Sequence, residues 1–207
     1  MSILVLTSDT LSSPAAAGQI EYTSPIFAAT PIGTQRGIVP TQQYYRLDTA
    51  YVGTNVATAQ TLFNVGVTLS SSTVYEFEAV YYMGKTAGTT SHTIGFGFGG
   101  TATINNTFWN AMGADTTSAF PIRFTTIQIV VSNSLANVVW SGASAAATIN
   151  LFANVKGTVS INAGGTFIPQ YTLSAAPGGA YTTQIGSFIR INPLSASGAA
   201  TNVGTWS

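Results

Sequence analysis

Ile149-Asn150-Leu151-Phe152-Ala153-Asn154-Val155-Lys156-Gly157-Thr158-Val159-Ser160-Ile161-Asn162 keeps one alternation over its whole length. Every odd position is apolar or glycine, and every even position except Phe152 is polar. A period of two belongs to a β-strand whose side chains point by turns to two environments. The run is 14 residues long, well beyond the typical strand of about 5 or 6. It predicts one long strand with a single apolar face. Gly157 in its middle predicts a bulge or bend where that strand crosses between sheets.

Working outward, the same period recurs. Downstream come the Ala163-Gly164-Gly165 break, a strand over 166–174, a turn at Ala176-Pro177-Gly178-Gly179, and strands over 181–184 and 186–191. Upstream, residues 124–132 form a β-branched run after the breaker Pro121, with Asn133-Ser134 as its turn. In residues 74–83, Tyr75, Phe77, Ala79, Tyr81 and Met83 share one face, opposite Glu76 and Glu78. His92, Ile94, Phe96 and Phe98 again share a face, and the glycine-bounded loop 84–88 predicts that these two strands form a hairpin. Sustained helical spacing is missing, although residues 54–63 could hold one short turn. The expected fold is all-β: an antiparallel β-sandwich of jelly-roll type over residues 44–192, with an extended N-terminal arm over 1–43 and a C-terminal tail over 193–207.

The arm is read from its breakers. Pro14, Pro25, Pro31 and Pro40 recur with Gly18, Gly33 and Gly37, which leaves room only for short strands or extended contacts. Its apolar residues Leu4, Leu6, Ile20, Tyr22, Ile26, Phe27, Ile32 and Ile38 are the candidate anchors of a partner-binding segment, since linkers are normally polar.

Charge excludes several functions. Of 207 residues only 6% are charged, six basic against six acidic, where ordinary domains have about 25%. Six scattered basic residues form no patch able to release counterions from nucleic acid, so no nucleic-acid partner is expected. Disorder is not expected either, because the chain is 45% hydrophobic with a mean hydropathy of +0.31. The longest apolar runs fall far short of the ~18 residues that span a bilayer, and the N-terminus lacks a basic leader, so neither a membrane partner nor classical secretion is expected. Zero cysteines leave no disulfide or thiolate chemistry. Thr, Ala, Gly and Ser supply 99 of the 207 residues. A surface this neutral suits life in an assembly, because isolated soluble proteins keep surface charge.

Chemistry-bearing residues are few. His92 is the sole histidine, with no Gly-x-Ser-x-Gly elbow to serve it, and reads as a strand-end residue beside a loop. Glu76 and Glu78 lie two apart on one strand face, about 6.5 to 7 Å at Cα, a spacing that a glycosidase pair could use. Their ordinary reading is the solvent side of a strand, paired with Lys85 or Arg46. Gly95–Gly100 and Gly164-Gly165 lack the lysine and helix of a phosphate loop and read as tight packing and turns. Tyr44, Tyr45, Tyr81, Tyr82, Trp109 and Trp140 are candidates for stacking on sugars, with packing as the alternative use. No catalytic, cofactor-binding or metal-ligating residue is assigned, and no cofactor is expected.

Several stretches taken together resemble a known module. They are Gly18-Gln19-Ile20-Glu21-Tyr22, Arg36-Gly37-Ile38-Val39-Pro40, Tyr75-Glu76-Phe77-Glu78-Ala79, residues 85–92, Lys156-Gly157-Thr158-Val159, residues 164–170, Ser174-Ala175-Ala176-Pro177-Gly178-Gly179 and Gly186-Ser187-Phe188-Ile189-Arg190. They resemble a β-sandwich module of tailed-bacteriophage virion proteins, found at tail-fibre ends and as capsid decoration (cement) proteins. The resemblance implies a non-enzymatic homotrimer, made in the bacterial host cytoplasm and built into the virion. Met1 lies within about twenty residues of the first stretch with no long shaft between. The expectation is therefore a decoration protein bound to the major capsid protein and stabilising the head. The alternative is a tail-fibre or tail-tip adhesin recognising a host surface glycan.

Overall fold

The computed structural model describes residues 6–118, 127–198, 200 and 202–206. In chain order the strands are β1 (Gln19–Thr23), β2 (Ile26–Ile32), β3 (Gln35–Val39), β4 (Gln43–Arg46), β5 (Tyr51–Val52) and β6 (Gln60–Thr61). There follow β7 (Val67–Leu69), β8 (Thr73–Lys85), β9 (Ile94–Gly99), β10 (Thr103–Thr116) and β11 (Gln128–Ser132). The last are β12 (Val138–Val139), β13 (Ile149–Ala163), β14 (Gly165–Leu173), β15 (Thr182–Thr183) and β16 (Phe188–Ala196). No helix occurs among the described residues, and the turn expected within 54–63 is replaced by bends and β6.

The larger sheet runs β11-β10-β13-β8-β15-β5, with β16 beside β8 and β4 beside β16. The smaller runs β12-β9-β14-β6, with β7 on β14. Their pairings are antiparallel, and their apolar faces meet in one core, which makes the fold an antiparallel β-sandwich. Phe98 of β9 stacks on Phe167 of β14 with ring centres 4.5 Å apart. From the opposite sheet Phe77 and Trp109 meet Phe98 edge-on at 5.0 and 5.5 Å. Such offset and edge-on pairs add to the burial of large apolar area.

β13 is the centre of the larger sheet, and its odd residues Ile149, Leu151, Ala153, Val155, Val159 and Ile161 are each at most 2% exposed. The expected bulge at Gly157 is not there, and β13 stays in one sheet instead of crossing between two. Pairing with β8 is unbroken through it, and the irregularity in pairing with β10 lies instead between Thr103 and Asn106. Gly157 faces Trp109 on one side and Phe77 on the other. A Cβ there would stand 2.5 Å from Trp109 Cβ and 2.6 Å from the Phe108 carbonyl oxygen, so glycine serves close packing rather than curvature.

The hairpin expected of residues 74–98 is also corrected. β8 already has β13 along one side and β16 and β15 along the other, so β9 falls in the opposite sheet and the intervening loop crosses between layers. Lys85, buried at the end of β8, pins that crossing: its ammonium donates to the carbonyl oxygens of Ala87 (3.1 Å), Gly88 (2.8 Å), Ala146 (2.6 Å) and Ala147 (3.1 Å). The run expected over 124–132 is seen from β11 onward, while Pro121 and residues 124–126 lie outside the described residues.

Residues 19–39 form a three-stranded antiparallel sheet of their own, β1-β2-β3, and β2 approaches β16 of the sandwich. β16 carries sandwich pairing on to Ala196, four residues into the segment read as a tail.

Candidate functional site

The register of the larger sheet lines up its outward side chains in rows. One row is Phe108, Thr158, Glu76 and Asn192, on β10, β13, β8 and β16 in turn. The next is Val131, Asn110, Lys156, Glu78, Arg190 and Tyr44. A third is Ile129, Met112, Asn154, Val80, Phe188 and Arg46. Directly opposed residues of antiparallel strands share a face and touch, so each row acts as one strip.

The first two rows, Tyr44 aside, line a groove of about 760 Å³ that Pro40 and Gln42 also border. The chain has six basic and six acidic residues, and Glu76, Glu78, Lys156 and Arg190 all converge here. Glu78 is the hub: Arg190 binds its Oε2 through Nε at 2.9 Å and through Nη2, and Lys156 reaches its Oε1 at 3.1 Å. The hydrogen bonds from Arg190 hold the Glu78 carboxyl below the ordinary carboxylate range; partial burial opposes this, and Lys156 reinforces it. The side chains of Glu76, Asn110, Asn192 and Gln42 make no hydrogen bond or ion pair with described residues. Phe108, 61% exposed, stands beside them.

The pairing expected for the two glutamates is therefore corrected. Lys85 is committed to backbone carbonyls and Arg46 to Asp48, while the partners of Glu78 come from β13 and β16. A carboxyl held ionised between two cations is a poor proton donor, the role a glycosidase acid requires.

His92 is 2% exposed, and both ring nitrogens are engaged. Nδ1 lies 2.8 Å from the Thr90 carbonyl oxygen, which can only accept, and Nε2 lies 2.8 Å from the Tyr181 hydroxyl. The strand-end histidine thus ties the crossing loop to the core. Of the aromatic candidates, Tyr81, Trp109 and Trp140 are core residues, whereas Tyr44, Tyr45 and Tyr82 reach solvent. Tyr44 and Tyr45 border a smaller apolar cleft of about 260 Å³ with Phe63, Val67, Phe167 and Ile189.

The candidate anchors divide. Ile26 is buried within the N-terminal sheet, Tyr22 and Phe27 pack on each other at 4.7 Å, and Ile38 is half-buried. Ile20 and Ile32 are 69% and 66% exposed, Leu6 is exposed, and Leu4 lies outside the described residues.

Nothing in the sequence alone joins Phe108, Asn110, Lys156, Arg190 and Asn192 into a constellation. The signal was there in the outward positions of each alternating strand, but joining those positions into rows requires the register. Among the described residues no helix is long and apolar enough to cross a membrane, and no three His, Cys, Asp or Glu gather where a metal could bind. No family model, curated protein or solved structure matches the chain.

Proposed function

We propose that this chain is a non-enzymatic structural protein of a bacteriophage virion, a capsid decoration protein that binds the major capsid protein and stabilises the head, assembling with copies of itself as a homotrimer. The observation that carries the reading is the outer face of β10 and β11. Met112, Ile129 and Val131 are 48 to 65% exposed there, on adjoining strands at the margin of the larger sheet. β11 reads Gln128-Ile129-Val130-Val131-Ser132. Proteins that live alone guard such an edge with lysine, proline or a bulge, and this strand carries none of these. Covering it in an assembly removes both the apolar area and an edge that has no partner strand among the described residues, and a surface so poor in charge makes the contact insensitive to salt. Ile20 and Ile32 of the N-terminal sheet add further exposed apolar contacts.

One observation favours a second reading, the receptor-binding tip of a tail fibre: the groove holds polar side chains without partners, as a recognition site does. Immunogold labelling of intact particles with antibody to this chain tests both. Gold over the head is expected, and gold confined to the tail end overturns the decoration reading. Removing residues 1–40 leaves every strand of the sandwich in place. Loss of head binding with the trimer intact is expected; unchanged incorporation excludes the N-terminal sheet from the attachment.

A further inference from the structure

We propose that the groove on the outer face of the larger sheet is a binding site for a short neutral oligosaccharide. The inference deepens the receptor-binding reading, by naming the ligand class and the residues, and it stands apart from the question of where on the particle the chain sits.

Three features of the groove select this chemistry. The first is the set of free hydrogen-bonding groups: the Glu76 carboxylate and the amides of Asn110, Asn192 and Gln42 have no partner among described residues. Planar carboxylates and amides present two atoms side by side, which suits vicinal hydroxyls, each both donor and acceptor. Asn192 lines the groove and is only 9% exposed. The second is the exposed Phe108 ring, in the same row as Glu76 and Asn192. An aromatic face at the edge of a polar row can take the C–H face of a sugar while the row takes its hydroxyls. The third is rigidity: Phe108, Thr158, Glu76 and Asn192 stand on four consecutive hydrogen-bonded strands, so their spacing is set before the ligand arrives. A volume of about 760 Å³ lies inside the range of about 300 to 1,000 Å³ usual for small-ligand sites.

Charge decides between ligands. Lys156 and Arg190 share the single carboxylate of Glu78, and with Glu76 the two acidic and two basic residues of the groove balance. An acidic sugar or a nucleic-acid phosphate gains no net attraction from a groove whose charges balance, whereas a neutral sugar needs none. A peptide added as a strand needs an open sheet edge, whereas this floor is the face of paired strands.

The test is direct binding by the intact chain to a panel of neutral and acidic oligosaccharides, read by ligand-observed NMR and calorimetry. Saturable binding of at least one neutral oligosaccharide is expected, with saturation transferred from the Phe108 ring. Phe108→Ala and Glu76→Ala should each weaken it by about tenfold or more, and Thr158→Trp, which fills the groove from an exposed position, should abolish it. These side chains point to solvent, so melting temperatures should stay near that of the parent. Binding of nothing neutral, binding of acidic sugars alone, capture of peptide in place of sugar, or neutral-sugar binding unchanged in all three variants would each overturn the proposal. Labelling at the tail without sugar binding leaves the receptor-binding reading standing and removes this one. Sugar binding with labelling on the head does the reverse.

Discussion

The sandwich and the small N-terminal sheet are built from the same antiparallel pairing, yet different forces hold them. The sandwich closes over Trp109, Phe77, Phe98 and Phe167, each at most 5% exposed. In the N-terminal sheet only Ile26, Ala28 and Thr30 are as well buried, and Ile20 and Ile32 remain in solvent. What the small sheet has instead is a polar knot. Arg36 Nε donates to Glu21 Oε2 at 2.9 Å, Arg36 Nη2 donates to the Ser12 carbonyl oxygen at 2.6 Å, and the Ser12 N–H donates to Glu21 Oε1 at 2.7 Å. Apolar burial scales with area and ignores salt and pH, whereas an ion-paired knot near the surface depends on both. The two regions should therefore fail under different conditions.

The largest effects are expected in the sandwich core. Trp109 fills the space over Gly157, and its indole N–H donates to the Ser134 carbonyl oxygen at 2.7 Å. Trp109→Ala empties that space and should cost about 3 to 5 kcal/mol in chemical denaturation, as large-to-small core changes do. Gly157→Ala makes the opposite error, adding a Cβ 2.5 Å from Trp109 Cβ and 2.6 Å from a backbone oxygen. It should cost about 1 to 3 kcal/mol, because paired strands on both sides leave little room to yield. If Gly157→Ala is neutral, the close-packing account of that glycine fails and curvature returns as the explanation.

Next in size are the two polar pins of the loop that crosses between the sheets. Lys85→Met keeps the stem but leaves four carbonyl oxygens without their shared donor, and should cost about 3 kcal/mol. Burial pushes the Lys85 ammonium down from its ordinary value, and the four carbonyl oxygens stand where they offset that cost. Tyr181→Phe removes only the hydroxyl that meets His92 Nε2 and should cost about 1 to 2 kcal/mol. Hydrogen exchange should show the loss of both variants concentrated in residues 86–93. An even loss across the sandwich would mean that these groups are ordinary core members rather than pins.

The residues that made the sandwich legible are the ones that alternate. The odd positions of 149–161 announce the core face because a strand has no other way to place them, and every one of them but Gly157 is buried. Partner choice was not legible. The alternation of 74–83 and 92–98 is the same whether the two strands pair with each other or face each other across the core, and only the long neighbours β13 and β16 decide it. The groove was hidden for the same reason: Phe108, Glu76 and Asn192 are 32 and 116 residues apart in sequence and meet through register alone. In the N-terminal segment prolines and glycines signalled short extended pieces, but not that Glu21 and Arg36 would tie them into a sheet.

The smallest effect, and the one that separates the two regions most cleanly, is the response of the N-terminal sheet to acid. The hydrogen bond from the Ser12 N–H, joined by Arg36, holds the Glu21 carboxyl below its ordinary value. A carboxyl whose folded value is depressed adds stability above its unfolded value and loses it as the pH falls through the folded one. Acidification should therefore release the protection of amides in residues 19–39 while those of β8 and β13 stay closed. Glu21→Gln should produce the same local opening at neutral pH, because an amide keeps the shape of the knot but not its charge. High salt should act in the same direction and more weakly, since the pair is only partly exposed, at 15% for each side chain. Equal acid sensitivity of both sheets would show that the N-terminal sheet is held by its contact with β16 rather than by the knot.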